Sequence, residues 1–211
     1  MNRNLARHLS TSLLAGLLFV SAASAQSFGQ FGVLTGIHPG RMDLGAYFGG
    51  SGGDMVPTFE LRGDLSSGGS LGLQATVEHR VFGAQLDLRR ALVNTGGSLA
   101  LDLGGQVAGG FATGRGSSRV FVQIVPGASG EWRVGGRQTA GLWTGVGLRL
   151  TSPTGSSGAA DGVFRFGGRF GFTPEVGMAA DFENVGGRDR LMLGVDYRFG
   201  GSGMRGLRRS R

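Results

Sequence analysis

The chain has 211 residues, of which 44 are Gly and none Cys, and a formal net charge of +7. The missing Cys excludes a disulfide framework and Cys-based metal sites. The Gly lacks the every-third-residue period of a collagen triple helix. The charge belongs to the chain ends. Every basic residue is Arg, and residues 26–199 hold 15 Arg against 14 acidic residues. A nearly neutral body gives no electrostatic footprint for nucleic acid, and none is expected as a partner.

Residues 1–25 read as a cleavable signal peptide. Arg3 and Arg7 form a positive start, Leu13 to Val20 an apolar stretch, and Ala23-Ser24-Ala25 a small-residue cleavage signal at Ala23 and Ala25. The apolar stretch is shorter than the roughly 20 residues of a spanning helix. Residues 26–39 follow as an N-terminal periplasmic segment.

Beyond residue 40 the hydrophobicity alternates with a period of two, the signature of strands with one apolar face. Ten such runs occur. Residues 40–48 place Met42, Leu44, Ala46 and Phe48 on one face; 55–64 place Pro57, Phe59 and Leu61 there. In 70–79, Leu71, Leu73, Ala75 and Val77 oppose Gly72, Gln74, Thr76 and Glu78. In 83–93, Ala84, Leu86 and Leu88 oppose Gln85, Asp87 and Arg89. A fifth run starts near Ser98 with Leu99, Leu101 and Leu103, and a sixth near Ser118 with Val120, Val122 and Ile124. Residues 139–150 carry Leu142, Val146, Leu148 and Leu150; 162–172 carry Phe164, Phe166, Phe170 and Phe172. Residues 175–184 carry Val176, Met178, Ala180 and Phe182. In 190–199, Leu191, Leu193, Val195, Tyr197 and Phe199 oppose Arg190, Met192, Gly194, Asp196 and Arg198.

Runs of about ten alternating residues separated by turns predict transmembrane strands. With no long apolar helix in the mature chain, membrane insertion requires a closed barrel, because backbone groups in lipid need internal partners. The fold class is therefore all-β: an antiparallel up-and-down transmembrane β-barrel over 40–199, with 8–10 strands and ten preferred by the run count. The count is open because the connection near His79–Phe82 is weakly marked and 118–134, containing Pro126 and Gly127, is long for one strand. The longest connection is expected at Thr151–Gly162, on the side away from the chain ends. Aromatics near the run ends, Tyr47 and Trp132 among them, are expected to form interfacial girdles.

The run Met192-Leu-Gly194-Val-Asp-Tyr197-Arg-Phe199 resembles the C-terminal assembly signal of small Gram-negative outer-membrane β-barrel proteins, of the OmpA/OmpX-like barrel superfamily. The resemblance spans most of 40–199. It implies an outer-membrane location, surrounding outer-membrane lipid, and recognition by the barrel assembly machinery through Gly194, Tyr197 and Phe199. In that family the motif usually ends the chain. Here a basic, flexible tail is expected over 200–211, with Arg205, Arg208, Arg209 and Arg211.

The expected inward face carries Asp43, Glu60, Arg62, Glu78, Asp87, Arg89, Asp102, Arg119, Arg149, Arg165, Arg169, Asp181, Glu183, Asp196 and Arg198. Forked Arg–carboxylate pairs would satisfy such an interior and fill it. The function expected is a structural or surface-interaction role with a largely side-chain-filled lumen. The alternatives are a narrow Arg-lined channel, a lipid-modifying enzyme, and a soluble β-sandwich whose apolar face is its core. Catalysis is not expected: Glu78 and His79 point to opposite faces of a strand, and no G-x-S-x-G nucleophile motif occurs. Two His beyond the signal peptide make no metal site, and no cofactor is expected.

Overall fold

The computed structural model describes residues 41–50, 56–65, 69–78, 81–94, 101–114, 117–153 and 158–200. The expected signal peptide with Ala23 and Ala25, the segment 26–39, both His38 and His79, and the tail after Gly200 lie outside these residues.

Ten strands form: β1 (Met42–Gly50), β2 (Val56–Asp64), β3 (Gly69–Glu78), β4 (Val81–Asn94), β5 (Leu101–Gly114), β6 (Ser117–Gly135), β7 (Gln138–Pro153), β8 (Ala159–Gly171), β9 (Val176–Val185) and β10 (Arg188–Phe199). Each pairs antiparallel with its sequence neighbour, and β10 returns to β1 from Met42↔Phe199 to Gly50↔Leu191. The result is a closed up-and-down barrel, which leaves no strand edge unpaired. Both strand ends nearest the termini, Met42 and Phe199, lie at one mouth.

The strand count is ten because β3 and β4 are separate strands and 117–135 is a single one. Pro126 sits in its middle, where a missing N–H ordinarily breaks a ladder. Pairing to β5 runs through it without interruption, Gln106↔Val125 and Gly105↔Pro126. On the β7 side the ladder steps from Ile124↔Leu148 to Gly127↔Gly145, so the interruption is confined to one edge. The connections are shorter than expected. Most of Thr151–Gly162 is strand, because β7 extends to Pro153 and β8 starts at Ala159. The β9–β10 hairpin turns on Gly186 and Gly187, with φ of 58° and 80°, the pair of left-handed residues that a tight type I′ turn requires.

Alternation along the strands separates two surfaces. Leu44, Phe48, Phe59, Leu73, Leu86, Val107, Val122, Ile124, Leu148, Phe166, Leu193 and Val195 are exposed on the outside. Thr58, Glu60, Arg62, Gln74, Gln85, Asp87, Arg89, Gln106 and Gln123 are buried inside. This is a soluble protein turned inside out, and a continuous apolar exterior of this kind is stable only against apolar surroundings.

The aromatics divide between the two surfaces. Tyr197–Phe199 and Phe170–Phe172 pair outside, near the mouth that holds the chain ends, with ring centroids 6.2 and 5.3 Å apart. Tyr47 departs from the expected girdle. It has the parity of Asp43 and Gly45, points into the barrel and is buried with Trp143, Ala179 and Met192. Phe121 is also inside. Each inward ring faces a Gly across the ladder: Tyr47↔Gly194, Trp143↔Gly167 and Phe121↔Gly110. A Cβ on any of these Gly would collide with the ring. Part of the Gly content thus makes room inside the barrel for bulky side chains.

Candidate functional site: the barrel interior and its mouth

The interior holds two compact, charge-balanced knots. In the first, β2 supplies Glu60 and Arg62 and β4 supplies Asp87 and Arg89. Arg62 donates from Nη2 to both Asp87 oxygens at 2.8 and 2.7 Å, from Nε to Glu60 at 2.8 Å, and from Nη1 to Ser70 at 3.0 Å. Arg89 Nε donates to Asp87 at 3.1 Å, and its Nη2 lies 3.5 Å from Glu60. Gly72, between β2 and β4 on β3, leaves the space for the Arg62–Asp87 contact. Two guanidinium groups against two carboxylates is the composition a buried site tolerates, because an unpaired buried charge is costly.

The second knot lies across β7, β8 and β9. Arg149 Nη2 donates to Glu183 at 3.1 Å and its Nε to Gln123 at 2.7 Å, while its guanidinium lies 5.0 Å from the Phe121 ring centroid. Arg165 Nη2 is 3.6 Å from Asp181, and its Nη1 donates to Gln106 at 2.7 Å. Trp143 Nε1 donates to Asp181 at 2.7 Å.

A third group sits at the mouth where the chain ends emerge. Arg169 Nε donates to both Asp196 oxygens at 2.9 Å. Arg198 Nη1 donates to Glu131 at 3.1 and 3.2 Å and its Nε lies 3.6 Å from Asp43. Glu131 also approaches Arg169 at 3.6 Å. These contacts tie the end of β6 to β8 and β10 on the far side of the mouth. Beside them lies a cavity of about 360 Å³ lined by Arg41, Glu131, Trp132, Arg133, Gly136, Arg137, Thr139, Pro174 and Arg198.

Of the residues singled out for the interior, Glu60, Arg62, Asp87, Arg89, Arg149, Arg165, Asp181 and Glu183 meet in the two knots. Asp43, Arg169, Asp196 and Arg198 meet at the mouth. Asp102 and Arg119 are half-buried near opposite ends of the barrel. Glu78 ends β3 opposite Val81, and its side chain lies outside the described residues. Gly194 lies under Tyr47, and Tyr197 and Phe199 face outward on the closing strand. The interior also takes in Glu131, Arg190, Trp143 and the glutamines Gln74, Gln85, Gln106 and Gln123, which were not among the charged residues singled out for it. All but Glu131 are buried, and Arg190 Nη2 reaches Thr58 at 3.4 Å. Their parity with the charged residues is the signal that finds them. Among the described residues, no group of three His, Cys, Asp or Glu could hold a metal ion.

A closed ten-stranded antiparallel barrel, apolar outside and charged inside, has an architecture similar to that of outer-membrane β-barrels. No family model matches the chain and no curated protein matches it, so the OmpA/OmpX-like superfamily is not established for it. Among solved structures it is similar to a KdgM porin at 13% identity and TM-score 0.40, covering 74% of this chain and 99% of that one. It is similar to Omp33 of Acinetobacter baumannii at 11% identity and TM-score 0.34, covering 80% and 100%. Neisserial surface protein A gives 12% identity and TM-score 0.32, covering 75% and 94%. At these values the likenesses carry no assignment of function.

Proposed function

We propose that this chain is an integral outer-membrane barrel with a structural role, whose lumen is occluded by its own side chains. The support for membrane insertion is the continuous apolar exterior, since open apolar patches on soluble monomers rarely exceed a few hundred Å². The observation that carries the occlusion is burial on the inward face. Gln74, Gln123 and Arg89 each have a relative exposure of 0%. In a water-filled channel these side chains would be bathed in solvent. Eight strands are just wide enough for side chains to fill, and ten leave more room. Here that room is taken up by long residues: four glutamines, the knotted arginines, Trp143, Tyr47 and Met192.

The short connections support a structural role over surface interaction. At the end away from the termini, β3–β4, β5–β6 and β9–β10 are joined by two residues each and β1–β2 and β7–β8 by five each. Such tips offer little area for a partner.

Planar-bilayer conductance of the mature protein, folded in detergent, tests this reading. The expected outcome is a silent bilayer with protein shown by its spectrum to be folded. Discrete conductance steps that vanish in a non-inserting Leu193→Arg control would replace occlusion with an open pore.

A further inference from the structure

The cavity at the mouth beside the chain ends is not needed to fill the barrel, and its chemistry is one-sided. We propose that it is a binding site for a compact oxyanion of phosphate or carboxylate chemistry.

Four guanidinium groups line it, Arg41, Arg133, Arg137 and Arg198, against the single carboxylate of Glu131. Glu131 is already engaged by Arg198 and approached by Arg169. The ion pairs among the described residues include none of Arg41, Arg133 and Arg137. The buried indole N–H of Trp132 also lacks an acceptor, and the Nε–H of Arg198 makes no hydrogen bond, with Asp43 and Asp196 3.6 and 3.9 Å from it. A buried donor without a partner is costly, so an acceptor that reaches it is favoured. Planar guanidinium forks match oxyanions with two parallel hydrogen bonds. A cation would be repelled.

Glu131, Asp43 and Asp196 all approach Arg198, which leaves the charge of Arg41, Arg133 and Arg137 without an ion pair among the described residues. Residues 1–40 and 200–211 contain no Asp or Glu. A volume of about 360 Å³ suits a small ligand, at the lower end of ordinary binding cavities. The elements that form it come from opposite sides of the barrel. Arg41 precedes β1, Pro174 lies between β8 and β9, and Gly136 and Arg137 form the tip of the β6–β7 hairpin. An anion held among them would bridge that hairpin to the rim.

The test is titration of the full-length mature protein in detergent micelles at low ionic strength with inorganic pyrophosphate and, separately, citrate. Calorimetry and Trp fluorescence give the readouts, because Trp132 lines the cavity whereas Trp143 is buried among barrel side chains. The expected result is saturable one-to-one binding of at least one anion with a change in Trp emission. Arg133→Ala/Arg137→Ala weakens it at least tenfold. Both residues are exposed, so the variant folds, as heat-modified electrophoretic mobility verifies. Replacing Arg205, Arg208, Arg209 and Arg211 by Gln leaves the affinity unchanged. Tighter binding of pyrophosphate marks a phosphate ligand; tighter binding of citrate marks a carboxylate one. No saturable binding of either anion, or binding lost with the tail variant and kept in the cavity variant, overturns the proposal.

Discussion

The ring of Tyr47 on β1 lies against the backbone of Gly194, its register partner on β10, at the seam that closes the barrel. A Cβ at 194 would overlap the Tyr47 ring. Gly194→Val is therefore expected to destabilise the barrel by about 1–3 kcal/mol, the cost of overpacking a filled interior. In a Tyr47→Ala background the same substitution should cost less, because the ring clash is gone and only the clash with the Ala46 carbonyl remains. Urea unfolding in lipid vesicles measures both. Equal costs in the two backgrounds would show that the Ala46 carbonyl, not the ring, sets the penalty at this position.

Asp87 is the hub of the first knot, accepting from Arg62 and Arg89. Asp87→Asn keeps the shape and removes the charge, leaving two buried guanidinium groups against Glu60 alone. The expected loss is about 3–5 kcal/mol, as for removing one partner of a buried ion pair. Adding Arg89→Met should recover part of it by restoring charge balance. Strictly additive losses would mean that the two side chains do not share the knot.

Much of this architecture was legible because lipid and lumen impose opposite demands on alternate residues. Leu71, Leu73 and Val77 against Gln74 and Thr76 identify a strand and both its faces without any tertiary information. What was not legible follows from interactions between strands. Pro126 reads as a break, yet β6 continues because the ladder to β5 carries it. The stretch Thr151–Gly162 reads as a loop, since Ser, Gly and Pro mark turns, but its neighbours pair most of it into β7 and β8. Tyr47 reads as an interfacial aromatic by its position near a strand end, whereas its parity places it inside. The mouth cavity could not be read at all, because Arg41, Arg137 and Arg198 are far apart in sequence and meet only when the barrel closes.

The outer surface makes a depth-dependent prediction. Leu193 lies mid-strand on β10, outward, with a relative exposure of 55%, flanked by Phe48 and Ala180. An Arg there would sit near the bilayer midplane at a cost of about 2–4 kcal/mol. Leu92 is exposed at 76% and lies at the irregularity between Ala91 and Val93, close to the rim. Leu92→Arg should cost only about 0–1 kcal/mol. Unfolding free energies in vesicles compare the two, and similar costs at both positions would argue against a membrane spanned along β10.

Gln74 and Gln85 are register partners on β3 and β4, both buried, and neither amide has a hydrogen-bond partner among the described residues. Each unsatisfied amide costs about 1–3 kcal/mol. Methionine has nearly the same length and flexibility without the polar atoms, so Gln74→Met/Gln85→Met should keep the packing. The expected result, unusual for a change inside a polar lumen, is a gain of about 2–6 kcal/mol in unfolding free energy with the bilayer still silent. A loss of stability would mean that water reaches and satisfies these amides at the middle of the barrel. That result would also remove the burial on which the occluded lumen rests, so stability and conductance must agree.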